Sequence, residues 1–89
     1  MLDEPSWILH KERPKAIVYA IIELTGSDDI DTIIKTLRKV SNNNSWIGKI
    51  SFYLSKNKEE VTKIIESIKI GEKPNESFVT EVMNLLNHL

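Results

Sequence analysis

Six cations, Lys35, Arg38, Lys39, Lys49, Lys56 and Lys58, stand between positions 35 and 58 without a single acid among them. The flanks reverse the sign: residues 1–34 carry a net −4 and residues 59–89 a net −3, around a middle of +6. An overall charge of −1 therefore conceals a basic centre. Trp46, Phe52, Tyr53 and the run Asn42-Asn43-Asn44 lie in the same segment. Clustered cations attract polyanions or acidic protein surfaces. Lysine and serine suit phosphates, and an asparagine amide pairs with an adenine edge through two hydrogen bonds. The chemistry that this segment supports is recognition.

Residues for catalysis are sparse. His10 and His88 have no neighbour at ligand or triad spacing, and the absence of cysteine excludes disulfides and thiolate metal sites. Asp28-Asp29-x-Asp31 has the look of a cation loop, but three acids in a first helical turn are what the helix dipole favours. Glu59-Glu60 reads the same way. Gly26, Gly48 and Gly71 are too scattered to cradle a phosphate, and no serine sits in a nucleophile elbow. No catalytic residue, metal or cofactor is expected.

These side chains must be positioned by a small fold. Eighty-nine residues make one domain, which at this size buries only about 60–65% of its unfolded surface. A hydrophobic content of 40% with 28% charged residues is that of a globular chain. No stretch reaches the length of a membrane span. The acidic opening Met1-Leu2-Asp3-Glu4-Pro5 is no secretory signal, so a cytoplasmic protein is expected. Asn43-Asn44-Ser45 and Asn75-Glu76-Ser77 are then chance glycosylation matches.

Residues 1–12 read as an N-terminal arm pinned by Trp7-Ile8-Leu9 onto a domain of residues 13–89. A first helix over residues 14–25 accepts Pro14 in its first turn and stops at Gly26. It is apolar nearly all round, which marks it as the central helix. Ser27 is expected to cap a second helix, whose Ile30, Ile33, Ile34, Leu37 and Val40 keep helical spacing. After a turn at residues 41–44, Ser45 or Asn44 caps a third element through Trp46, Ile47, Ile50, Tyr53 and Leu54. Residues 49–54 also alternate as a strand would, and Gly48 costs a helix about 1 kcal/mol relative to alanine. With no second strand to pair with, the helix is preferred. Trp46 shares a face with Ile50 and Tyr53, so it is assigned to the core rather than to base stacking. Phe52 falls off that face.

Asn57 followed by Glu60 has the form of a capping box for a fourth helix, with Val61, Ile64, Ile65 and Ile68 inward. Gly71 and Pro74 end it. Asn75 caps a fifth helix, where Phe78, Val82, Leu85, Leu86 and Leu89 share one face and Val79 and Met83 widen it. The expected fold is all-α, a small compact orthogonal bundle of four to five short helices.

Two functional readings follow. The first is a non-catalytic accessory or adaptor subunit that binds a larger protein within a nucleic-acid-processing assembly, such as a DNA polymerase complex. Lys35, Arg38, Lys39, Asn43, Asn44, Lys49, Lys56 and Lys58 would face nucleic acid, while Phe52, Phe78, Val79, Met83 and Leu86 would dock the partner. A pI near 6.1 argues for this shared duty, because the rest of the chain repels a polyanion. The second is a helix-turn-helix DNA-binding regulator, a homodimer through the fifth helix. Its recognition helix would present Asn43, Asn44, Ser45 and Lys49.

Overall fold

Caps and breakers divide residues 12–88, the part of the chain described by the computed structural model, into five α-helices. They are α1 (Glu12–Thr25), α2 (Ile30–Val40), α3 (Trp46–Ser55), α4 (Lys58–Lys69) and α5 (Glu76–Leu86). The expected contact of Trp7-Ile8-Leu9 with the body, and His10, lie outside the described residues. Among the described residues no strand forms, so residues 49–54 are helical.

Each junction has a local cause. Gly26 ends α1 with φ +71°, a conformation open to glycine, and its N–H donates to the Ile22 carbonyl at 2.8 Å. The N-cap of α2 is Asp29, two residues later than expected. Its carboxylate accepts the Thr32 N–H at 3.1 Å and the Thr32 hydroxyl at 3.2 Å. Ser27 instead accepts the Asp29 N–H at 3.1 Å and turns the chain ahead of the helix. Ser45, Asn57 and Asn75 cap α3, α4 and α5 through their side-chain oxygens, as their residue types favour.

The link between α2 and α3 packs unusually close. A Cβ on Gly48 would lie 1.8 Å from the Asn43 carbonyl oxygen and 2.6 Å from its carbon. Glycine is needed here for proximity, so its weak helix propensity is outweighed. The Asn43 N–H donates to the Val40 carbonyl at 2.9 Å, which winds the link tightly off the end of α2.

The core surrounds α1, which touches each of the other four helices. Ala16, Ile17, Val18, Ala20 and Ile21 are fully buried, and the two alanines let neighbouring backbones approach. Ile33, Leu37 and Val40 from α2, Ile50 and Leu54 from α3, Val61 from α4 and Val82 from α5 close around it. Asp31 reaches Lys58 at 3.9 Å and Asp28 reaches Lys69 at 3.4 Å, so α4 lies across the start of α2. Both pairs are exposed and contribute little stability. They do account for two of the three clustered aspartates, and the cap accounts for the third.

Candidate polyanion-binding face

On α2, burial of Ile33, Ile34, Leu37 and Val40 turns Lys35, Arg38 and Lys39 to the opposite, exposed side. On α3, Ile47, Gly48, Ile50, Ser51 and Leu54 are buried. Its exposed residues Lys49, Phe52 and Tyr53, with Lys56 at the C-cap, recur at i, i+3, i+4 and i+7 as one stripe. α2 and α3 pack directly against each other, so the two sets of cations occupy neighbouring elements.

Within the stripe Phe52 is 52% exposed, and the Lys56 ammonium sits 4.7 Å from its ring centroid. Such a cation over a ring is held by the quadrupole of the π face. Tyr53 is 38% exposed, although it shares a helical face with Ile50. The buried arc of α3 centres on Ile47, Ile50, Ser51 and Leu54, leaving Trp46 and Tyr53 together on its margin. Trp46 is covered there by Phe78 and Arg13, whereas the Tyr53 hydroxyl accepts from the Asn57 amide at 3.2 Å.

The start of α3 is already engaged. The half-buried Asn43 accepts the Ser45 N–H at 2.9 Å, and the Ser45 hydroxyl accepts the Ile47 N–H at 3.2 Å. The Trp46 indole donates to Glu81 at 3.1 Å. Of the residues proposed for nucleic acid, Lys35, Arg38, Lys39, Asn44, Lys49 and Lys56 remain exposed with no acidic partner among the described residues. Lys58 is drawn to Asp31, and the Asn43 amide is committed to the turn.

The residues proposed for a partner divide four ways, and Phe52 stands apart from the others, exposed on α3 beside the cations. Leu86 is only 6% exposed and belongs to the core, so it offers no docking surface: one turn beyond Val82, it lies on the face that α5 buries. Phe78 is half-buried and meets the Trp46 ring edge-on, with centroids 5.7 Å apart at 67°. The Arg13 guanidinium lies 5.3 Å from the Trp46 centroid and 5.2 Å from that of Phe78. Arg13 and Glu81 thus complete a cluster drawn from α1, α3 and α5, which local spacing does not reveal. Val79 and Met83 line a groove of about 450 Å³ with Tyr19 and Pro74, and exposed Glu23, Lys73 and Glu76 border it. Tyr19 was not singled out from the sequence; one hydroxyl inside an otherwise apolar run was its signal.

His88 rests with Nδ1 2.7 Å from the Asn84 carbonyl at the end of α5. No helix among the described residues is long and apolar enough to cross a membrane. No family model matches this chain, and no curated protein or solved structure shows significant similarity to it.

Proposed function

We propose that this chain is a non-catalytic accessory subunit whose α2–α3 face contacts nucleic acid while a larger protein docks elsewhere on the bundle. The observation that carries the reading is the exposure of Lys35, Arg38, Lys39, Lys49 and Lys56 on two adjacent helices, with no acid between positions 35 and 58. Five cations on one pair of helices and its last cap, with no acidic partner among the described residues, attract a phosphate backbone through Coulomb forces and counterion release. The remaining surface is acidic, so this face alone gives weak, salt-sensitive binding. A protein partner supplies the rest. The α1–α5 groove suits an apolar side chain of that partner through Tyr19, Val79 and Met83. An assembly that processes nucleic acid, such as a polymerase complex, has use for both contacts.

A sequence-reading helix-turn-helix regulator is less well supported. Such motifs join their helices by a turn of about 3–4 residues that often contains glycine. Here residues 41–45 link α2 to α3 without one, and Asn43, Ser45 and Trp46 are occupied within the fold.

Fluorescence anisotropy of labelled single-stranded and duplex DNA across a salt series tests the reading. Binding at low salt should fall with a log–log slope of about −2 to −4, which corresponds to a few neutralised phosphates. Replacing Lys35, Arg38 and Lys39 together by alanine should reduce the slope by about 2–3. Absence of binding to either oligonucleotide at low salt, or an unaltered slope in the triple variant, overturns the nucleic-acid part.

A further inference from the structure

The exposed stripe of α3 has a composition that phosphate contact alone does not require. We infer that it is a stacking platform for single-stranded nucleic acid, with Phe52 receiving a base and Lys49 and Lys56 holding the adjacent phosphates. This rests on the reading of the α2–α3 face as polyanion-binding and specifies the strand form that it takes. Phe52 is 52% exposed and lies outside the buried face of its helix, which Ile47, Ile50, Ser51 and Leu54 form, so the core does not account for its ring. Beside it stands Tyr53, 38% exposed, and lysines occupy the turns before and after. Aromatic faces flanked by cations are the combination by which proteins hold single strands, because every unpaired base has a π face and every nucleotide a phosphate. In a duplex the base faces are hidden in the stack, so Phe52 would meet only sugar and phosphate. An acidic peptide would satisfy the lysines but bring no planar partner for the ring. Lys56, 4.7 Å from the Phe52 centroid, covers one face of the ring, so a base stacks on the other face or displaces the ammonium towards its own phosphate.

The test uses the full chain with labelled oligothymidylate of about 15 nucleotides, its duplex with oligoadenylate, and poly-glutamate as competitor. Phe52→Ala, Phe52→Leu and Phe52→Trp are compared with the wild type, each first shown by circular dichroism to melt as the wild type does. The expected result is a preference for the single strand that Phe52→Ala and Phe52→Leu weaken roughly 5- to 100-fold and Phe52→Trp retains. Duplex binding and both salt slopes should be unaltered. If the single strand binds but Phe52→Ala leaves its affinity unchanged, or poly-glutamate displaces it at equal charge concentration, the platform is wrong while the basic face stands. If neither oligonucleotide binds at low salt, the platform fails together with the polyanion-binding reading.

Discussion

Gly48→Ala offers a test in which local propensity and packing predict opposite signs. In the interior of a helix this change ordinarily stabilises by up to about 1 kcal/mol, since glycine is the poorer helix former. Here the new methyl carbon would stand 1.8 Å from the Asn43 carbonyl oxygen, 2.6 Å from its carbon and 3.1 Å from its Cα. All three atoms are backbone, so no side chain can swing aside, and the link must retreat by more than an ångström. That movement pulls on the Asn43 N–H to Val40 bond and the Ser45 N–H to Asn43 bond, each 2.9 Å, and on the Ser45 cap of α3. Overpacking of this kind costs about 1–3 kcal/mol, and a lost cap adds about 1 kcal/mol. After the propensity gain is subtracted, a net loss of roughly 1–3 kcal/mol remains. For a domain of this size the melting temperature should fall by about 5–20 °C, read by circular dichroism alongside urea unfolding. A variant that melts at or above the wild type would show that the Asn43 carbonyl does not lie against Gly48 as described.

Three further substitutions probe separate parts of the fold. The Ser51 hydroxyl is buried with no hydrogen-bond partner among the described residues, so Ser51→Ala should stabilise by about 1 kcal/mol and raise the urea midpoint. Leu86→Ala should cost about 2–5 kcal/mol in urea unfolding as a core truncation, whereas exposed Phe52→Ala should cost well under 1 kcal/mol. Equal losses would contradict the assignment of Leu86 to the core. Arg13→Ala should cost about 0.5–2 kcal/mol and alter Trp46 emission in a Trp7→Phe background, because one guanidinium covers both rings of the Trp46–Phe78 pair. Unaltered emission and stability would mean that this cation is not held there.

What was legible in the sequence was local. The stripe of Ile30, Ile33, Ile34, Leu37 and Val40 specifies α2, and with it the exposure of Lys35, Arg38 and Lys39 as its complement. Asn57 and Asn75 announce α4 and α5 because an N-cap needs only its own next turn. Ser27 and Asp29 stand two residues apart and both suit a cap; Asp29 takes it through the Thr32 N–H, while Ser27 accepts the Asp29 N–H ahead of the helix. Gly48 read as a defect because the Asn43 carbonyl that requires it becomes a neighbour only when the link folds back. The wide apolar surface of α5 left two choices of inward edge. Packing against α1 buries Val82 and Leu86 and turns Val79 and Met83 to the groove. Arg13, Trp46, Phe78 and Glu81 come from three helices, and no spacing along the chain brings them together.

The central claim, that the α2–α3 face is where this protein meets a polyanion, is tested most directly by a residue-resolved amide NMR titration of the full chain with oligothymidylate at low salt. Chemical-shift changes should concentrate on residues 35–44 and 49–56, with the core amides of α1 and those of α5 unmoved. Changes centred on the groove around Tyr19, Val79 and Met83, or none at saturating oligonucleotide, would contradict it.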